Sequence, residues 1–291
     1  MKAQFENEVM TSLMLYVDHY IMEKGQAYTN NNSSFYKIDE DYTDYQVWAA
    51  PYKQLVCDHS VNGATLISGA YINGSASYTT PSEGPSYQDM EFVNQYQGQI
   101  YFKANPSITP INAVSGSYSV KDFNVYLTNE NEEELLFETQ FDLRPKVSQT
   151  PTGLASEKQT FPAVFIKNNG GTNEPFAFGG MDNTILNARM IALADSAFNL
   201  DAVCSILKDR AHHQIPVLTA GTLPFNALGG LKEDCFNYTG LVATGAASHM
   251  YIANAYVSKV SPNRQFYKNV NKDVFSAFID FELEQPRYPR S

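Results

Sequence analysis

Residues 185–210 read ILNARMIALADSAFNLDAVCSILKDR, and this stretch decides the fold class. Residues 185–194 are apolar except for Asn187 and Arg189, the composition of a strand covered on both faces. Asp195, Ser196 and Asn199 follow with side chains suited to capping a helix start. Leu200, Val203, Cys204 and Leu207 then recur at i, i+3, i+4, i+7 as one apolar stripe, while Asp201, Ser205, Lys208 and Asp209 face away. Pro216 stops any helix that continues. A strand feeding an amphipathic helix, with β-like segments on either side, predicts an α+β fold.

Downstream, residues 215–218 are a short apolar piece, and 221–230 and 240–247 read as Gly/Ala-rich loops. Residues 250–260 and 274–283 read as two strands. In the last, Phe275, Ala277, Ile279, Phe281 and Leu283 alternate with Ser276, Asp280 and Glu282, a period of two. The tail QPRYPRS is basic and proline-rich, so it is expected to be extended.

Upstream, residues 162–167 suggest a short strand followed by a turn-rich segment to 180, and residues 144–160, RPKVSQTPTGLASEKQT, have a linker's composition. Between 45 and 143 no helical period appears. Candidate strands at 45–51, 53–58, 64–72, 99–103, 113–127 and 134–142 are separated by turn signals such as Asn62-Gly63 and Asn73-Gly74. Residues 125–128 and 135–139 suggest a hairpin around the acidic tip NENEEE, which reads as a solvated loop. Residues 29–43 are a polar stretch rich in Asn, Ser and Asp. Residues 5–24 read as a helix ended by Gly25.

That helix carries two apolar rows, one through Val9, Leu13, Tyr16 and Tyr20, the other through Met10, Met14, Val17 and Ile21. One reading docks the first row on the body and leaves Met10, Met14, Val17 and Ile21 for a neighbouring subunit. The alternative wedges the helix between two domains of the same chain. The expected organisation is a helix at 1–25, an antiparallel β sandwich or barrel at 26–143, a linker at 144–160, and an α+β domain at 161–291. The last should have a mixed or antiparallel sheet and one main helix.

The chain has 291 residues with 20 Lys plus Arg against 31 Asp plus Glu, a formal charge of -11. That balance argues against wrapping a nucleic acid or binding an anionic membrane. Near the start, Glu6 and Glu8 stand where a signal peptide would carry positive charge, and TSLMLYVDHYIM is interrupted by Asp18 and His19. The expectation is a chain made and kept in a cytosol, or packaged from one. Cys57, Cys204 and Cys235 are too scattered for a disulfide framework and are expected to be reduced.

For chemistry, Asp209, His212 and His213 cluster at the end of the predicted helix, with Cys204 upstream. Such a group can hold a metal, but histidines at a helix C-terminus are also favoured by the macrodipole, and the structural role is preferred. Cys235 and His249 look isolated. No nucleophile elbow, phosphate loop, calcium loop or cofactor motif is present. The chain is therefore read as non-enzymatic, with no cofactor and no metal.

Three segments carry a resemblance: ATLISGAYINGS, then YQDMEFVNQYQGQIYFKANPS, then VSGSYSVKDFNVYLTNENEEELLFE. Their order is similar to a pattern in structural proteins of tailed bacteriophages. The second half, with FPAVFIKN and the strand ending FIDFELEQPRYPR, resembles the α+β layout of their ring-forming neck and tail-completion proteins. The resemblance implies a virion protein that self-associates into a ring at the neck or tail, as a tail terminator, collar or connector. It also implies other neck or tail proteins as partners, and DNA passing through the lumen without specific binding. The β-rich part is larger than a minimal tail terminator needs. A different reading is a receptor- or glycan-binding surface module that uses Trp48, Tyr78, Tyr87 and Tyr96 as stacking faces.

Overall fold

The computed structural model describes residues 3–38, 45–67, 69–72, 75–78, 90–103, 113–133, 135–136, 142–143, 160–177, 179–226, 230–233, 235–260 and 274–289. The fold is α+β. Helix α1 (Phe5–Gly25) opens the chain. Gln4 and Asn7 cap it reciprocally, the Gln4 N–H donating to Asn7 Oδ1 at 3.0 Å. The left-handed residue at its end is Gln26, with φ 47, and not Gly25. Gly25 instead permits a close approach, since a Cβ there would lie 3.0 Å from Ile206 Cδ1.

The first sheet is antiparallel and contains β1 (Tyr28–Lys37), β2 (Tyr45–Ala49), β3 (Gly69–Ile72), β4 (Ser75–Tyr78), β5 (Met90–Asn94), β6 (Gln99–Lys103) and β7 (Val114–Lys121). Their order is β4-β3-β7-β1-β2-β6-β5. Most of the polar stretch after α1 is thus a central strand, and its residues 39–43 lie outside the described residues. β1 pairs with β7 from Tyr28↔Lys121 to Phe35↔Val114, so ladder hydrogen bonds hold a segment whose own propensity is low. Behind the sheet, Phe35, Trp48, Ile100, Phe102, Tyr118 and Val120 form a core.

The expected single strand at 113–127 is split. The chain bends at Asp122 and Phe123, and β8 (Asn124–Leu127) leaves for the second sheet. Phe123 is buried in the second sheet's core, and the Asp122 N–H donates to Ala27 O at 2.7 Å. Of the hairpin expected around NENEEE, the described part of the second arm, Leu135 and Leu136, is helical, and 134 and 137–139 lie outside the described residues. β8 runs parallel to residues 163–166, and Leu135 lies in a helical turn against a small cluster with Phe165 and Ile191. Glu132 is held by Arg189 at 2.6 Å, which takes part of the acidic tip out of open solvent. Residues 53–58 are also not a strand; they make single bridges, Leu55↔Val120 and Asp58↔Phe236. Short strands β9 (Asp142–Leu143) and β10 (Thr160–Phe161) pair in parallel. Most of the expected linker, residues 144–159, lies outside the described residues.

The second sheet is mixed. It holds β8 with β11 (Ala163–Ala177), β12 (Met181–Ala194), β13 (Gln214–Leu218), β14 (Ala246–Lys259) and β15 (Phe275–Arg287), in the order β13-β14-β15-β12-β11-β8. The quoted stretch forms β12 and α2 (Ala197–Lys208). Ser196 caps α2 by accepting from the Asn199 N–H, and Leu200, Val203, Cys204 and Leu207 are buried as the spacing requires. The segment expected to be turn-rich after 167 continues as strand to Ala177. The expected Gly/Ala-rich loop at 240–247 holds instead most of α3 (Tyr238–Gly245), capped by Asn237, and the first residues of β14. On β15, Ala277, Ile279, Phe281 and Leu283 are buried as expected. Phe275, at the strand's end, is 41% exposed.

α1 and α2 cover one face of this sheet. Val9, Leu13, Tyr16, Val17 and Ile21 pack with Val164, Met190, Leu207, Ile252, Ile279 and Phe281 in the largest core. Burying such aliphatic side chains stabilises the fold by about 1.5–3 kcal/mol each. The wide apolar surface of α1 is therefore used within this chain: Met22 also packs on Val56 and Val61 of the segment linking the first sheet's strands.

Candidate functional site

α1 carries polar side chains into the interior, and these organise a junction between the two sheets. Asp18 receives Lys121 Nζ on both carboxylate oxygens, at 2.9 and 2.7 Å, with both side chains nearly buried. Burial alone would lower the Lys121 ammonium, but the Asp18 carboxylate outweighs it and holds the group above its ordinary range. One residue on, His19 Nδ1 lies 2.8 Å from Asp58 Oδ2 and its ring stacks on Tyr238 at 4.6 Å.

Asp58 is the hub. Its Oδ1 accepts from Ser60 Oγ at 2.6 Å, the Ser60 N–H at 2.9 Å and the Tyr238 N–H at 3.0 Å. Burial pushes the Asp58 carboxyl up, yet hydrogen bonds from His19, Ser60 and Tyr238 together hold it below the usual carboxylate range. Ser, His and Asp thus meet, but in an order unsuited to nucleophilic catalysis. Both the Ser60 hydroxyl and His19 Nδ1 bind the carboxylate, so the hydroxyl proton is directed at Asp58 and not at an imidazole nitrogen. The junction ties α1, the 55–60 segment, β7 and α3 together.

The residues singled out from sequence fall as follows. Met10, Val17 and Ile21 are 7%, 0% and 1% exposed in the chain's own core, and Met14 packs against it. The row expected to await a neighbour is therefore covered within this chain. Cys204 is buried on α2's stripe. His212 takes a left-handed backbone with φ 64, its N–H donates to Ile252 O, and its Nδ1 lies 3.0 Å from Tyr251 Oη. Among the described residues no group of three metal-ligating side chains forms, at Asp209, His212 and His213 or elsewhere.

Trp48 is 4% exposed in the core behind the first sheet, so it offers no face to a sugar. The side chains of Tyr78 and Tyr87 lie outside the described residues, and Tyr96 is half-buried, with its phenol pushed well up by burial.

A contact that sequence reasoning missed lies beside the hub. His59 Nε2 and Cys235 Sγ are 2.7 Å apart although far separated in sequence. Nothing local in the sequence could reveal the pair, because the parallel bridge Asp58↔Phe236 creates it.

The second sheet presents two open margins. β13 covers β14 only from Ala246 to Tyr251, with two further hydrogen bonds joining Ile252 to His212 and His213. β8 covers β11 only from Ala163 to Ile166, with one more bond from the Thr128 N–H to Ile166 O. Among the described residues, 253–259 of β14 and 171–177 of β11 have no strand on their outer sides.

The ladders place these margins relative to each other. Thr172 is level with Ile185, Glu284 and Tyr251, while Phe165 is level with Ile191, Phe278 and Ser258. The free margins therefore lie on opposite sides and toward opposite ends of the sheet. Successive antiparallel pairings also make β11 and β14 run in opposite directions. Each margin displays an aromatic ring, Phe176 at 62% and Tyr256 at 63% exposure.

Among the described residues, no helix is long and apolar enough to cross a membrane. No family model matches the chain, and no curated protein matches it in sequence.

Proposed function

We propose that the protein is a non-enzymatic structural subunit that joins head to tail with copies of itself into a ring. The setting we infer is the neck or tail of a tailed-phage virion, as a tail terminator, collar or connector. The observation that carries this reading is the pair of free sheet margins. Strands β11 and β14 run oppositely, so the 171–177 margin of one copy can meet the 253–259 margin of the next as an antiparallel pair. An interface between two different surface patches is heterologous, and it closes into a ring when the rotation per subunit divides a full turn.

The diagonal offset of the margins inclines the strands to the ring axis, as in closed barrels. Pro175, which lacks an N–H, lies within the 171–177 margin, the position in a sheet where proline is tolerated. The charge of -11 favours a lumen through which DNA slides without sticking, and other neck or tail proteins would occupy the ring's two faces.

Sedimentation equilibrium and negative-stain imaging of the purified chain test this. A closed multimer of fixed copy number is expected, and Tyr256→Lys with Phe176→Lys should reduce it to monomer without changing the circular dichroism. A monomer at all concentrations, or a multimer indifferent to both lysines, would overturn the proposal.

A further inference from the structure

We propose that Cys235, paired with His59, is a reactive thiol that forms mixed disulfides with small-molecule disulfides. The backbone sets the pair in place. The Phe236 N–H donates to Cys57 O at 2.9 Å and the His59 N–H donates to Phe236 O at 2.8 Å, around the parallel bridge Asp58↔Phe236. Asp58, between Cys57 and His59, is locked by His19, Ser60 and Tyr238. The imidazole and the sulfur are therefore held 2.7 Å apart by a rigid frame, within direct proton-transfer reach. His59 is exposed and Cys235 is half-buried, so the pair opens to solvent.

The thiolate is the nucleophile in thiol–disulfide exchange, and an adjacent protonated imidazole stabilises it. The Cys235 proton passes to His59 Nε2, and the thiolate attacks one sulfur of the incoming disulfide. A new S–S bond forms to Cys235 as the old one breaks. The departing half leaves as a thiolate and takes up a proton, so Cys235 is oxidised and one half of the reagent is reduced. The other cysteines are unsuited to this. Cys57 is fully buried and its thiol is pushed up to about 12 by that burial, and Cys204 is 5% exposed with its thiol also raised by burial.

The test uses 4,4′-dithiodipyridine, an uncharged disulfide that the chain's charge of -11 does not repel. At pH 7 the native chain should release one thiopyridone in a fast phase, mapped to Cys235 by peptide mass. Its rate should exceed that of Cys235 in urea-unfolded chain by about tenfold. His59→Asn, whose circular dichroism should match the parent, should lose that advantage. Reaction slower in the native than in the unfolded chain would overturn the inference without reliance on any variant. So would first labelling at Cys57 or Cys204, or a rate unchanged by folded His59→Asn.

Discussion

Replacing Lys121 by Met while Asp18 remains isolates the energetics of the junction under α1. The two side chains are 6% and 10% exposed, and Lys121 Nζ contacts both Asp18 oxygens, at 2.9 and 2.7 Å. Little water can reach the carboxylate left behind, so the single variant should lose about 3–5 kcal/mol. Asp18→Leu, which strands the ammonium, should cost a similar amount. Removing both charges together trades a desolvated ion pair for apolar packing of similar volume, which is often neutral or mildly stabilising. The double variant should therefore stand within about 1 kcal/mol of the parent, a coupling of several kcal/mol. Urea unfolding followed by far-UV circular dichroism measures all four corners of the cycle. Single losses under about 1 kcal/mol, or a double variant whose loss equals the sum, would refute the reasoning and place the pair in contact with water.

Ile21→Asp should unfold the subunit outright, because Ile21 is 1% exposed in the core that α1 shares with the second sheet; a folded but monomeric variant would return that helix face to the role of an interface. Acid should weaken the protein through Asp58, whose carboxyl is held below its unfolded value: the unfolded state binds the extra proton, so stability rises with pH. The contribution should be complete above about pH 4 and lost as pH falls below that through the folded value. Denaturation midpoints between about pH 2 and 5 should show this slope for the parent, and a slope unchanged in Asp58→Asn would count against it. The chain's one Trp is buried, so its emission should be blue-shifted, poorly quenched by acrylamide and unmoved by added sugars; a sugar-dependent shift would revive the glycan-binding alternative.

The sequence by itself determined the elements whose signals are local. The apolar run of β12, the Ser196 cap and the Leu200–Leu207 spacing specify a strand and helix whatever surrounds them, because caps and periodicity act within one turn or pleat. The alternation on β15 and the helical period of α1 are legible for the same reason. The destination of each buried face was not legible. Both rows on α1 are equally apolar, and only packing against β13, α2 and the 55–61 segment decides that neither is left for a neighbour.

Partners distant in sequence decided the remainder. β1 is a strand because β7 supplies its ladder, although Asn30, Asn31, Asn32, Ser33 and Ser34 carry no strand signal of their own. The chain changes sheets at Asp122 because burying Phe123 in the larger core draws β8 beside β11. The Asp58 hub, the His59–Cys235 pair and the two free margins likewise arise where segments far apart in the chain are brought together. Pairings of that kind are set by the balance of burial against loop-closure entropy over the whole chain, and no local pattern records the result.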